Sequence, residues 1–523
     1  MARTRSSGIL LHPTSLPGPY GIGELGPHAH AWVDWLQRAG QRIWQVMPLG
    51  PTGYGDSPYQ CFSAFAGNPY LISLERLRDE GWLRDDELAA GERLPSDRVE
   101  YGDVIAFKIE MLERAERRFV EGAPEATRRA LARFEADHAE WLDDYALFMA
   151  LKDAHGGRPW KAWEPALRDR DPDTLARARD EHADAVRRHR TWQFWFHLHW
   201  GDVRRHANEA GIRILGDLPI FIAYDSADAW AHRDLFFFDA EGAPTVVAGV
   251  PPDYFSATGQ RWGNPLYRWG RMKERGFAWW ISRFRSTLEF VDVIRVDHFR
   301  GFEAYWEIPA DEPTAVKGRW VRGPGQPFFD ALTEALGELP IVAEDLGVIT
   351  SQVDALRDAN DLPGMKVLQF AFAGDASDPY LPHNYAQNFV VYTGTHDNDT
   401  TRGWYDTAPT EERDHVRRYL ARGDENVALD LIRLAQGSVA DTAVFPLQDA
   451  LELGSEARMN RPGSAQGNWS WRFGWDDLPD WLTSHLRDMA ELYGRVGAAS
   501  ARDTPYRQST TGSDVEDAGA AGG

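Results

Sequence analysis

Eight short apolar runs, most of them separated by helical segments, predict an α/β chain whose parallel strands close into a (β/α)8 TIM barrel. Two further observations favour the barrel over an open sheet. The 523 residues are too many for one ordinary core but suit one large barrel carrying insertions. No glycine-rich dinucleotide or phosphate loop follows the first strand.

The elements follow in order. Ser7 to His12 reads as a short buried strand closed by the turn Pro17-Gly18-Pro19-Tyr20-Gly21. Trp32, Val33, Trp35 and Leu36 fall at helical spacing before Gly40, and Arg42 to Leu49 is the second strand, which together make a parallel βαβ unit. A loop dense in Gly, Pro and Tyr follows over residues 50–60. Residues from about 70 to 205 lack strand patterns and are rich in Glu, Arg, Ala and Leu, so a helical insertion is expected there. Ile212 to Ile220 is the third strand, and the stretch 221–275 reads as a loop-rich subdomain. Ala278 to Phe290 is helical and feeds the fourth strand, Val291 to Asp297. The remaining strands are expected at Pro340 to Asp345, Met365 to Phe372, Phe389 to His396 and Thr442 to Leu447, with Leu478 to Tyr493 as the closing helix. One barrel domain thus spans 1–498, and 499–523, made largely of Ser, Asp, Gly and Ala, reads as a disordered tail.

Composition narrows the function. A formal charge of -23 argues against nucleic acid or an anionic membrane, because binding polyphosphate depends on Lys and Arg to neutralise it. The 22 tryptophans are mostly core material, Trp44, Trp200 and Trp269 among them, although such an excess also suits stacking on sugar rings. A single cysteine, Cys61, excludes an internal disulfide and a Cys-rich metal site. The N-terminal apolar run is too short for a signal peptide, and no stretch approaches a membrane span, so a cytoplasmic protein is expected.

The chemistry concentrates at strand ends. In the run Val291 to Phe302, period-2 alternation sends Arg295 and Asp297 to one face and Ile294, Val296 and His298 to the other. A guanidinium beside a carboxylate favours its ionised form, which suits a nucleophile, although a structural ion pair has the same signature. Glu344 in Ala343-Glu344-Asp345 and Asp397 in Thr395-His396-Asp397 end two later strands, and in a barrel such ends converge on one mouth. A Mg or Ca site is the rival reading of three acids, opposed by Arg295 and His396 beside them. Glycoside chemistry uses two carboxylates flanking the scissile bond. Asp297 would attack the anomeric carbon, Glu344 would protonate the leaving oxygen and then deprotonate the acceptor, and Asp397 with His396 would hold the ring hydroxyls.

At these residues the chain resembles the 4-α-glucanotransferases known as amylomaltase or disproportionating enzyme, relatives of the α-amylases. The resemblance runs from about Ser7 to Arg495 and rests on ordered motifs: Ser15-Leu16-Pro17 with Gly21-Ile22-Gly23, Gly53-Tyr54-Gly55-Asp56-Ser57-Pro58-Tyr59, Gly216-Asp217-Leu218-Pro219-Ile220, Arg295-Val296-Asp297-His298, Ala343-Glu344-Asp345-Leu346-Gly347, Thr395-His396-Asp397 and Met459-Asn460-Arg461-Pro462-Gly463. It implies Asp297 as nucleophile, Glu344 as acid/base and Asp397 as the transition-state-stabilising carboxylate. Tyr59, Asp217, Arg295, His396 and Asn460 would line the subsite next to the cleaved bond, with Ser57, Gln260 and His298 also among the implied substrate contacts. Tyr254, Phe255 and Trp262 match the family's mobile substrate-covering loop, placed at 246–266, and Tyr54 with Tyr101 matches a secondary glucan-contact region. Phe221-Ile222 stand where α-amylases have an Asn-His pair, and no C-terminal β-sandwich follows, which favours amylomaltase.

The resemblance thus implies maltodextrins, maltose, amylose or glycogen-derived α-1,4-glucans as partners, and neither a metal nor any other cofactor. The competing functions are an amylase-like α-1,4-glucan hydrolase and a non-catalytic glucan-binding protein.

Overall fold

A computed structural model describes residues 5–252, 256–464 and 466–496. Eight parallel strands form one sheet: Ser6–Leu10, Ile43–Gln45, Arg213–Pro219, Val293–Asp297, Ile341–Ala343, Gly364–Val367, Phe389–Tyr392 and Thr442–Pro446. They are the eight strands expected, in the order expected, and the first pairs with the eighth. The sheet curls into a barrel whose remaining seam, between the fifth and sixth strands, lacks ladder pairing. There the Ala343 N–H donates to Pro363 O at 2.8 Å, and the Met365 N–H donates to the Asp345 carboxylate at 2.7 Å. Gly364 permits this approach, because a Cβ at that position would collide with Asp345. The sixth strand is shorter than its apolar run, which turns into a 3-10 helix at Leu368–Phe370.

Between the second and third strands lies an all-helical stretch that includes Tyr101–Gly122, Glu125–Asp137, Ala139–Ala154 and Ala183–Glu209. The last of these is 27 residues long and buries Trp192 and Trp195 against helix Tyr101–Gly122 and Phe196 and Trp200 against Phe290 and Trp44 on the barrel side. Trp44, Trp200 and Trp269 are all buried in the main core, where Trp44 meets Trp200 at a tilt and Trp269 stacks on Trp280.

The stretch 221–275 is less irregular than its sequence suggests. Val246–Val250 and Gln260–Pro265 are strands of a four-stranded antiparallel sheet completed by Ala304–Pro309 and Arg319–Arg322, which follow the fourth barrel strand. Its pairing joins segments far apart in sequence, and Gln260 and Arg261 are exposed, so no apolar alternation announces the outer strand. The tail at 499–523 lies outside the described residues. No helix among them is long and apolar enough to cross a membrane.

Candidate active site

The site grows out of the register between the third and fourth strands. Asp217 is the direct partner of Arg295, and Pro219 of Asp297. Partners on neighbouring parallel strands point the same way, so the pairing itself sets a guanidinium between two carboxylates. Arg295 Nη1 donates to Asp217 Oδ2 at 2.7 Å and to Asp297 Oδ1 at 3.0 Å. Tyr59 joins from the loop after the second strand, its hydroxyl donating to the same Asp217 oxygen at 2.8 Å. Burial raises the Asp217 carboxyl and Arg295 opposes that rise. Asp217 Oδ1 is buried with no partner among the described residues.

Alternation stops at Asp297. His298 adopts a left-handed conformation (φ 54°), so the expectation that it leaves the strand beside Ile294 and Val296 is corrected. The turn costs about 1–2 kcal/mol for a residue with a Cβ. It aims the His298 N–H at Glu344 Oε2, 2.7 Å away, and sets the imidazole edge-on to Trp262 with ring centres 4.9 Å apart. Burial pushes His298 down to about 4, so the ring is neutral at pH 7, and its Nε2 has no partner among the described residues.

Glu344 is held twice, by His298 N–H and by the Leu346 N–H at 2.9 Å on Oε1. Burial is the main force raising its carboxyl to about 7; Arg295 opposes the rise and the Asp297 charge adds to it. The neighbouring Asp297 charge is therefore a real cause but secondary to burial.

Across the mouth, His396 is buried and stacks on Tyr59 with ring centres 5.1 Å apart. His396 Nε2 lies 3.3 Å from Asp397 Oδ1, which also accepts a hydrogen bond from Asn460 Nδ2 at 2.6 Å. Tyr59, Asp217, Arg295, Asp297, His396, Asp397 and Asn460 are linked through these contacts, and the His298–Glu344 pair adjoins them through the Asp297–His298 peptide. Ser57 acts one step back, accepting the Tyr59 N–H at 3.2 Å and shaping the turn that presents the ring. Gln260 is exposed on the outer strand and accepts from Trp262 Nε1 at 3.1 Å. Tyr254 and Phe255 lie outside the described residues. Tyr54 is exposed, whereas Tyr101 is half-buried with its hydroxyl on Trp469 O at 2.9 Å.

Several supporting residues escaped the sequence reading. Trp469 packs against both Tyr59 and His396 with ring centres about 6 Å away. Arg458 donates to the backbone oxygens of Asp397 and Asn460 at 2.6 and 2.7 Å, tying two loops together. Asp449, fully buried, accepts from Thr393 Oγ1, Thr401 Oγ1 and Thr401 N–H and so fixes the base of the loop bearing Asp397. Asp449 follows the eighth strand closely, the same signal that points to Asp297 and Glu344.

An ion-paired aspartate and a half-buried glutamate whose carboxyl is raised to about 7, at the ends of adjacent barrel strands, fit a carbohydrate-active enzyme that works through two carboxylates. The comparisons narrow that class. The 4-α-glucanotransferase profile of glycoside hydrolase family 77 matches residues 11–476. A 4-α-glucanotransferase of Thermus thermophilus is 54% identical over 95% of this chain and 100% of its own length. The chloroplastic/amyloplastic 4-α-glucanotransferase of Solanum tuberosum is 46% identical over 94% of this chain and 87% of its own. Amylomaltase from Streptococcus agalactiae, solved in complex with acarbose, superposes with a TM-score of 0.92 at 37% identity, covering 94% of this chain and all of that one. The chain belongs to glycoside hydrolase family 77, and it is a 4-α-glucanotransferase, an enzyme that transfers glucosyl groups.

Proposed function

We propose that the reaction runs as a double displacement on α-1,4-linked maltodextrins, with Asp297 as nucleophile and Glu344 as the single acid/base. The observation that carries this reading is the asymmetry between neighbours: Asp297 bonded to Arg295, Glu344 half-buried with its carboxyl raised by desolvation to about 7. In the first step an Asp297 oxygen bonds the anomeric carbon as the glycosidic bond breaks, and Glu344 gives its proton to the departing 4-oxygen. The ester leaves Asp297 neutral. With that charge gone one cause of the raised Glu344 carboxyl disappears, and Glu344 becomes the better base for the second step. It then takes the proton of an acceptor 4-hydroxyl as that oxygen displaces Asp297, and the α-configuration is restored. Asp397, steadied by Asn460 and His396, and the unpartnered Asp217 Oδ1 supply acceptors for sugar hydroxyls, which strengthen as the ring becomes oxocarbenium-like. Maltose, amylose and glycogen-derived chains are the donors and acceptors of this scheme, and the cytoplasm its place.

Maltotriose as sole substrate separates transfer from hydrolysis. Glucose and longer oligomers should appear at a constant reducing-end count. A rise in reducing ends that keeps pace with product formation would make the enzyme a hydrolase, and no turnover would make it a binding protein.

The acid role has a pH signature. The first step needs protonated Glu344, so kcat/KM should fall as pH rises through about 7. Glu344→Gln should lower turnover ~10²–10⁴-fold and abolish that limb, while α-glucosyl fluoride, whose leaving group needs no proton, still forms the ester. An alkaline limb unchanged in Glu344→Gln would remove Glu344 from this role. The raised carboxyl also has a stability consequence. Between its ordinary 4.5 and about 7 the folded protein keeps a proton that the unfolded chain has released. This group therefore lowers stability as pH rises across that window, and its contribution is level above it.

A further inference from the structure

We propose a structural site for a divalent transition-metal ion, of the kind Zn²⁺ represents, formed by His138, His197 and Glu289 on the side of the barrel away from the reacting carboxylates. The three residues come from separate elements. His138 sits at the junction of helices Glu125–Asp137 and Ala139–Ala154, His197 on the long helix Ala183–Glu209, and Glu289 next to the end of helix Ala278–Phe290. Their ligating atoms all lie within 4.8 Å of one another, and among the described residues this is the one such group of three His, Cys, Asp or Glu side chains. His138 Nδ1 is 3.9 Å from Glu289 Oε2, and the two imidazole centres are 5.1 Å apart.

The chemistry of His197 points to a ligand. Its Nδ1 lies 2.8 Å from the Gln193 carbonyl, which can only accept, so Nδ1 carries the proton and Nε2 presents a lone pair. That Nε2 is buried without a partner among the described residues. A ring nitrogen oriented by a carbonyl behind it is the usual arrangement of a metal-binding histidine. Phe134, Trp141 and Phe290 pack around the His197 ring. Aromatic packing alone explains a flat ring at this position. It does not explain why the ring keeps a buried, unbonded lone pair beside a second imidazole and a carboxylate, an arrangement that costs free energy unless the nitrogen is bonded.

Two nitrogens and a carboxylate oxygen are a donor set for Zn²⁺, Co²⁺ or Ni²⁺ rather than for Mg²⁺ or Ca²⁺. Ligands at about 2.0–2.2 Å from a tetrahedral ion stand roughly 3.4 Å from each other, so the group must contract by about 1 Å. Glu289, with a side chain 44% exposed, has the freedom to swing inward, and water can fill the fourth position. Asp137 adds negative charge beside His138 and Glu289, while Arg204 and Arg285 face Glu289 and oppose a cation. Arg204 is already bound to Asp292 and to the Glu289 backbone oxygen.

The consequence is mechanical. Helix Ala278–Phe290 leads straight into the strand that carries Arg295 and Asp297. An ion at its end fastens that helix to the helical insertion and stabilises the fold, with no part in bond breaking.

The test uses the full chain after EDTA treatment, titrated with Zn²⁺ in a calorimeter and melted with and without saturating Zn²⁺, with Mg²⁺ as control. One Zn²⁺ per chain and a higher Tm with Zn²⁺ alone are expected. Glu289→Gln, a neutral isostere at a half-exposed position, should fold as the wild type and weaken Zn²⁺ binding ~10-fold or more, and His197→Phe should abolish it. Absence of saturable binding, or an affinity and stoichiometry unchanged in Glu289→Gln, would overturn the proposal. Because neither measurement involves glucan transfer, the result stands apart from the assignment of the catalytic carboxylates.

Discussion

Asp297→Asn is expected to reduce glucan transfer by on the order of 10⁴-fold or more, since the covalent route is lost and only binding and charge stabilisation remain. The fold should survive the change. Arg295 keeps its 2.7 Å bond to Asp217, and the amide of the same size fills the site of the carboxylate. A melting temperature close to wild type together with the lost activity therefore assigns the residue to chemistry. The companion measurement uses Glu344→Gln with α-glucosyl fluoride, in which formation of the ester outruns its breakdown because no base activates the acceptor. Mass spectrometry of the digested protein should find the added sugar on the peptide containing Asp297. Full turnover by Asp297→Asn, or a label on another residue, would displace the nucleophile assignment.

Arg295→Met is expected to be the most destabilising single change in the site, by about 3–5 kcal/mol, the cost of leaving buried charge unpaired. Arg295 is 4% exposed and is the shared partner of Asp217 and Asp297. Without it two carboxylates face each other across adjacent strands, and one must take up a proton. A denaturant melt at pH 7 should show the loss, and the gap to wild type should narrow at acid pH as the carboxylates protonate. Adding Asp217→Asn to Arg295→Met should recover part of the stability but not the activity. If the two changes proved additive, Arg295 and Asp217 would not be coupled.

The contrast between these two residues shows how much of the site can be read before folding. Arg295 and Asp297 lie two apart in a strand, so their common direction follows from backbone geometry alone, and the 3.0 Å contact agrees with it. Asp217 is 78 residues from Arg295, and nothing local reveals that it is the closer partner. Glu344 and Asp397 could be placed at the mouth because barrel strand ends converge. The level of the Glu344 carboxyl could not, because it depends mainly on how much water the surrounding side chains exclude. His298 went wrong for a related reason: alternation assumes the strand continues, and the chain instead takes a left-handed turn that lets the backbone N–H reach Glu344. Trp469 and Arg458 act on Tyr59, His396 and Asp397 across long sequence separations, so no motif spacing exposes them.

By itself the sequence determined the eight-strand order, the helical stretch after the second strand and the placement of three acids at or just after the ends of barrel strands, because these are carried by hydrophobic periodicity and by residues within a few positions of each other. Tertiary structure alone decided the antiparallel sheet at Val246–Val250 and Gln260–Pro265, the Tyr59–Asp217–Arg295 junction and the raised carboxyl of Glu344. The physical reason is range. Backbone hydrogen bonding and side-chain direction are local properties of the chain, whereas strand pairing between distant segments, ion pairing and desolvation depend on which parts meet when the barrel closes.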